Sequence, residues 1–288
     1  MTNSAVRGIL IPIGGNEDKG IEGDEMYTLE FIDEGILAHV VREAGGTNAN
    51  IVIIPTASSI PDDVAESYLT AFGKLGCENL TVLDIRSRED AEHPDAIEII
   101  KDSDCVMFSG GDQSKITKYI GESTIHQIMS ERYKNENFVI AGTSAGAMCM
   151  SQEMITGGNA TDSFRKGVVF MDKGLGFMPR LIIDSHFIKR GRFGRLTESV
   201  AKFPHLVGVG LAEDTGIIIK NNNELKVIGS GMVIIFDAKN LLHNNEDILE
   251  EGTPMTITNM TTHVLSNSDE YNVDSRTVTV LPIDAPFV

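Results

Sequence analysis

The strongest constraint on the fold of this 288-residue chain is an alternation over its first two-thirds. Short, apolar, β-branched runs are each followed by a helical pattern. Gly8 to Ile13 is a strand candidate closed by Gly14 and Gly15. From Glu25 to Ala44, Leu29, Ile32, Ile36 and Val40 recur at helical spacing until Gly45-Gly46. Ile51 to Ile54 reads as a buried strand stopped by Pro55, and a helix follows from about Asp62 to a terminal signal at Gly76. The strand Leu80 to Ile85, a helix around Ala96 to Lys101 and the strand Cys105 to Phe108 continue the series. Helical patterns from Gln113 to Tyr133 break near Gly121. The strand Phe138 to Ala141 then runs directly into Gly142-Thr-Ser-Ala-Gly146 and another helical stretch. Strands that are apolar along both faces need cover on both. The alternation therefore predicts an α/β fold, a mostly parallel sheet with helices on both faces.

Beyond about residue 205 the pattern turns to short β-like runs separated by Gly and Asn: Val207 to Leu211, Thr215 to Lys220, Leu225 to Ile228 and Met232 to Phe236. Val264-Leu265 and Thr277 to Leu281 read the same way. No Pro/Ser-rich linker or internal repeat divides the chain. The expectation is one domain over 1–288, with a core over about 8–220 and a β-rich extension over about 221–288.

Forty-two acidic against 24 basic residues give a net charge of −18, which repels phosphate backbones and argues against nucleic-acid or anionic-membrane partners. Cys77, Cys105 and Cys149 are widely spaced and form no CxxC pair, which suits a reducing compartment. No apolar run approaches the roughly 20 residues of a membrane span. The start of the chain lacks a secretory pattern, so a soluble, cytoplasmic protein is expected. With no HxH, HExxH or CxxC arrangement, no metal is expected, and Gly14-Gly15 lacks the spacing of a dinucleotide loop.

The chemistry concentrates in a few segments. Gly142-x-Ser144-x-Gly146 lies between a predicted strand and a predicted helix, the context of a nucleophile elbow, in which small neighbours let the chain turn sharply and project the serine oxygen. The backbone N–H of Ala145 then lies beside the site, and Gly110-Gly111 at the end of the preceding strand offers a second donor for an oxyanion. The alternative is a plain strand-to-helix turn with Ser144 as a cap. Asp112 and Gln113 either contact substrate or cap the next helix.

Among seven histidines, His186 stands apart, ending the apolar run Leu181 to Phe187 just before Lys189, Arg190, Arg192 and Arg195. It is the candidate general base. His39 falls within a helical pattern, His93 and His126 lie in polar helical regions, and His243 and His263 lie in apparent loops. The arginines form either a solvated helix start or a clamp for carboxylates. Glu213 and Asp214 follow a predicted strand and are candidates to orient the base; spacing does not choose between them, nor exclude Asp184.

Together these segments resemble the cyanophycinase family of serine peptidases, relatives of the aspartyl dipeptidases. The likeness runs through GGNEDK at 14–19, GGDQ at 110–113, GTSAGA at 142–147, DSHF at 184–187 with RGRFGRL after it, and GLAEDT at 210–215. The resemblance implies Ser144 as nucleophile, His186 as base and Glu213 as its partner. Gln113, Asp184, Arg190, Arg192 and Arg195 then match pocket-lining positions. It further implies a flavodoxin-like core close to that of class I glutamine amidotransferases, a homodimer, no metal or other cofactor, and cleavage of cyanophycin to β-aspartyl-arginine dipeptides. Ser185 stands where the family usually has glutamine, which loses the reach of an amide and keeps related aspartyl peptides in play. Rival readings are an α/β-hydrolase esterase, with Asp184 or Glu213 followed by His243 or His263, and a silent anion-binding module built on the arginines.

Overall fold

The computed structural model describes residues 6–20, 29–159 and 162–281. Five strands form a parallel block: β1 (Ile9–Ile13), β2 (Ile51–Ile54), β3 (Leu80–Val82), β4 (Cys105–Phe108) and β5 (Val139–Thr143), arranged in the order β1-β5-β4-β2-β3. The period-two alternation of side chains sorts their residues onto two faces. Ile11, Ile13, Ile51, Ile53 and Met107 face one core, shared with α1 (Ile36–Glu43) and α2 (Pro61–Lys74) through Leu37, Val40, Tyr68 and Phe72. Leu10, Val52, Ile54, Val106 and Ile140 face the other. That core takes in α3 (Pro94–Asp102), α4 (Gln113–Tyr119) and α5 (Thr124–Asn135) through Ile100, Ile116 and Met129. Helices thus cover both faces, as the continuous apolar strands require.

Two helical readings change. The pattern from Glu25 to Ala44 becomes helix only from Ile36: residues 25–28 lie outside the described residues, and Gly35 is extended (φ −64°, ψ 154°). Ile32 accordingly lies 48% exposed and takes no place in a buried face. After the serine motif the helix α6 is one turn, Ala145–Met148.

Past α6 the chain makes a small antiparallel ladder, β6 (Glu153–Gly157) with β7 (Phe170–Lys173), and then β8 (Leu181–Asp184), α7 (Phe193–Lys202) and β9 (Val207–Leu211). The remaining strands are β10 (Thr215–Lys220), β11 (Glu224–Gly229), β12 (Val233–Asp237), β13 (His243–Asn244), β14 (Ile257–Thr258), β15 (Thr261–Leu265), β16 (Glu270–Asn272) and β17 (Thr277–Thr279). The β-rich segments divide between two sheets. β10, β11, β16 and β17 extend the parallel block beyond β1 as an antiparallel wing, which makes nine strands; β8, β9, β12 and β15 form a second sheet of four. His263, expected in a loop, sits in β15 opposite Ile235. His243 pairs with Thr258 in the short β13–β14 ladder. Among the described residues no helix is long and apolar enough to cross a membrane.

β1, β4 and β5 end together at one edge, with Ile13 beside Thr143 and Phe108 beside Gly142. In open α/β sheets, ligands bind beyond the carboxyl ends of parallel strands. The glycine turns and the serine motif both fall there.

Candidate active site

Ser144 sits between β5 and α6 at φ 51°, ψ −108°, a left-handed region that a serine enters only at a cost. The flanking glycines make the turn possible. A Cβ on Gly146 would lie 2.5 Å from the carbonyl oxygen of Phe108, and one on Gly142 would lie 2.6 Å from the backbone of Gly146. Ser144 is half-buried among buried neighbours. Its side chain makes no capping hydrogen bond to the helix it precedes. Instead its Oγ lies 3.0 Å from His186 Nε2, and His186 Nδ1 lies 3.0 Å from Glu213 Oε1.

These three side chains come from the turns after β5, β8 and β9, and one short segment ties their backbones together. Ile13 C=O accepts from Ser144 N–H at 2.8 Å, Gly14 C=O from His186 N–H at 2.9 Å, and Gly15 C=O from Asp214 N–H at 2.9 Å. Three successive carbonyls at the end of β1 therefore hold the serine turn, the histidine turn and the acid turn in register. His186 (φ 48°) and Asp214 (φ 43°) occupy the left-handed region as Ser144 does.

His186 is 9% exposed. Burial pushes its pKa below the ordinary imidazole range; Glu213 pulls it up, while Arg190 and Arg192 push it further down. The result is a neutral imidazole at physiological pH, able to accept a proton. A serine, a neutral imidazole and a carboxylate hydrogen-bonded in series have the geometry for nucleophilic attack with proton transfer. Beside Ser144, the N–H groups of Ala145 and Gly111 have no acceptor among the described residues. Gly110 lies against the serine, where a Cβ would be 3.4 Å from Ser144 Cβ. Gly111 needs its missing side chain, since a Cβ at its φ of +141° would meet the Ala57 carbonyl oxygen at 2.1 Å.

Other predicted site residues are placed differently. Asp112 caps α4, its Oδ1 accepting from Ser114 N–H at 2.9 Å. Gln113 donates to the Ile155 carbonyl at 2.8 Å, which commits its amide nitrogen to the protein. Asp184 and Arg195, expected to line the pocket, are paired with one another in the interior, 0% and 5% exposed. Arg192 donates to Asp184 and to the Ser185 carbonyl. A buried carboxylate must be neutralised, and the two guanidiniums of the basic cluster do so. Arg190 makes no ion pair among the described residues and is exposed. Of the three arginines expected to form a clamp, Arg192 and Arg195 thus bond Asp184. Ser185 is buried, its hydroxyl 3.2 Å from Met148 Sδ, so it does not reach toward Ser144. Asp214, the other candidate partner of the base, accepts from Asp18 N–H and from Ser230 instead.

One group escaped the residue-by-residue reading. Glu17, 2% exposed, accepts from the Thr143 hydroxyl at 2.5 Å, from the Tyr68 hydroxyl and from Lys19 at 2.8 Å. The GGNEDK turn hinted at it; nothing in the sequence marked its carboxylate as buried. Among the described residues no cluster of three His, Cys, Asp or Glu could hold a metal ion. A cavity of about 860 Å³ lies apart from Ser144 over the antiparallel wing, where Lys220 pairs with Glu43.

Comparison with known proteins gives a consistent set of likenesses. A family model described as peptidase family S51 matches residues 29–227. A cyanophycinase of Trichormus variabilis is 35% identical over 277 residues, covering 96% of this chain and 89% of its own length. A cyanophycinase of Geminocystis herdmanii is 33% identical over 267 residues, covering 93% and 94%. Among solved structures, a peptidase from an acI-B1 Actinobacterium superposes with a TM-score of 0.63 at 21% identity, over 93% of this chain and 98% of that one.

Proposed function

The chain belongs to peptidase family S51 and is a serine peptidase, and from that premise we propose that it cleaves cyanophycin to β-aspartyl-arginine dipeptides through a Ser144–His186–Glu213 triad. The observation that carries this reading is the hydrogen-bonded series itself, 3.0 Å at each link. His186 Nε2 takes the Ser144 proton as Oγ attacks the scissile carbonyl. Glu213 holds the imidazole in the tautomer with Nδ1–H directed at its carboxylate and stabilises the imidazolium that forms. The N–H groups of Ala145 and Gly111 receive the oxyanion, each such donor being worth roughly 2.7–4 kcal/mol in comparable enzymes. His186 then protonates the leaving amine, and water attacks the acyl-enzyme by the same route in reverse.

Arg190 is the side chain free to hold a substrate carboxylate. Cyanophycin offers one on every arginine branch, and an acidic protein body suits the guanidinium beside it. Action as an exopeptidase, on a cytoplasmic homodimer, completes the reading; three buried, free cysteines are in keeping with a reducing compartment. The esterase alternative loses its base, because His243 bonds Thr258 and the His263 ring lies against Tyr271. A second reading, hydrolysis of other aspartyl peptides, is favoured by one observation: Ser185 is buried against Met148 and supplies no amide to the site.

Purified cyanophycin, α-aspartyl dipeptides and β-aspartyl dipeptides, each incubated with the enzyme and analysed by mass, separate these readings. Release of β-aspartyl-arginine is expected, with Ser144→Ala losing cleavage while retaining binding. Release that persists in Ser144→Ala refutes the triad. Cleavage of the dipeptides alone refutes the polymer substrate.

A further inference from the structure

The left-handed conformation of Ser144 costs on the order of 1–3 kcal/mol and persists only where its surroundings hold it. The Ser144 carbonyl accepts from Ala147 and Met148 N–H within α6, and two further contacts tie the turn to the end of β1 and the segment after it. The first is backbone: Ser144 N–H donates to the Ile13 carbonyl. The second belongs to Thr143, the last residue of β5, whose hydroxyl donates to Glu17 at 2.5 Å. Glu17 is an unusual residue to find there, a carboxylate sealed inside the protein beside the nucleophile turn. Lys19 neutralises its charge from two residues away, and the Tyr68 hydroxyl anchors it to α2. The same turn supplies the carbonyls that hold the His186 and Asp214 backbones. An ion pair serving packing alone has no need to bridge a helix to the residue preceding the nucleophile. A buried pair is also seldom a net source of stability.

We infer that Glu17 is a positioning residue for the nucleophile: by accepting from the Thr143 hydroxyl, its carboxylate fixes the strained turn that aims Ser144 Oγ at His186. The inference rests on the reading of Ser144 as the nucleophile. It predicts a loss in turnover rather than in substrate affinity, because misaiming a nucleophile raises the barrier without touching the groups that bind substrate.

Thr143→Val keeps side-chain volume and removes the hydroxyl, Thr143→Ser keeps the hydroxyl and removes the methyl, and Glu17→Gln removes the charge. Two measurements apply to each: steady-state kinetics, and the rate at which a fluorophosphonate probe labels Ser144, both normalised to the folded fraction. Thr143→Val and Glu17→Gln are expected to lower kcat and labelling rate about 10-fold or more, with KM within about 2-fold and Thr143→Ser close to wild type. Thr143→Val that labels and turns over like wild type overturns the inference, as does Thr143→Ser impaired as badly as Thr143→Val. The threonine pair decides alone if Glu17→Gln does not fold. Wild type that labels at Ser144 but cleaves none of the peptides refutes the substrate reading and leaves the labelling test intact. Wild type that neither labels nor cleaves removes the nucleophile and the inference with it.

Discussion

Asp184 and Arg195 are committed to each other: Arg195 Nε donates to Asp184 Oδ2 at 2.8 Å, its terminal nitrogen donates to Oδ1, and the two side chains are sealed from solvent. Arg192 adds a third contact to the same carboxylate at 3.1 Å. The pair lies directly behind the His186 turn. Removing the acid strands two guanidiniums in a low-dielectric interior, and breaking a buried pair from one side costs about 3–5 kcal/mol. Asp184→Ala is therefore expected to lower the urea midpoint by that equivalent. A variant as stable as wild type would show the pair to be dispensable.

Gly15 packs against the imidazole of His186. A Cβ built on it would lie 2.3 Å from Cε1 and 2.6 Å from Nε2, and its φ of +110° already disfavours any other residue. Gly15→Ala must displace the ring from Ser144, the turn from β1, or both. A fall in kcat on the order of 100-fold is expected. Circular dichroism should remain close to wild type, because the strain is local. Retention of more than about a third of wild-type kcat would mean that the ring has room to move.

The parallel block was legible because period-two apolar runs and helical spacing are local properties, and Cys105 to Phe108 is a strand with the bounds its composition suggests. Ser144, His186 and Glu213 stand out in the sequence because each follows a β-like run, and the structure brings them within hydrogen-bond reach of one another. Depth, local capping and helix starts are less legible. The sequence places Arg195 and Asp184 at the pocket because charge gives no sign of depth; their burial follows from α7 packing against β8 and β9. Asp112 and Gln113 lie beside the glycine turn, but local backbone groups claim their side chains. Helical spacing at Ile32 suggests a longer α1 than the structure has, because the extended Gly35 caps the helix at its start.

With His186 as the proposed general base, the acid limb of the activity profile is expected to report its titration. Burial lowers its pKa, Glu213 raises it, and Arg190 and Arg192 lower it again. The base must be neutral, so kcat/KM is expected to rise with pH through an apparent pKa below the usual imidazole value of about 6.5. Arg190→Ala removes a like charge, favours the imidazolium and moves this limb toward neutral pH. A limb that moves the other way would mean that Arg190 does not act on His186 through its charge. KM should rise in the same variant if Arg190 holds a substrate carboxylate.

Glu213 and Asp214 are adjacent acids, and their surroundings assign them opposite consequences on amidation. Glu213 Oε1 bonds the imidazole, so Glu213→Gln should cost kcat on the order of 10³- to 10⁴-fold by releasing the productive tautomer. Asp214 is buried away from the ring. Burial raises its pKa above 3.8, against the lowering effect of the Ser230 and Asp18 hydrogen bonds, and the charges of Asp18 and Glu17 raise it further. A carboxyl with a raised folded pKa contributes stability that is full below its unfolded pKa and is lost as pH rises through the folded one. At neutral pH, therefore, its charge is held at a cost. Asp214→Asn retains an acceptor for Asp18 N–H and a polar partner for Ser230. It is expected to stabilise the protein at pH 7, to lose that advantage in acid, and to keep kcat within about 3-fold. Urea denaturation at both pH values and steady-state kinetics of the two variants provide the check. If Asp214→Asn loses turnover while Glu213→Gln retains it, the orienting role passes to Asp214, and the 3.0 Å contact between Glu213 and His186 has no part in catalysis.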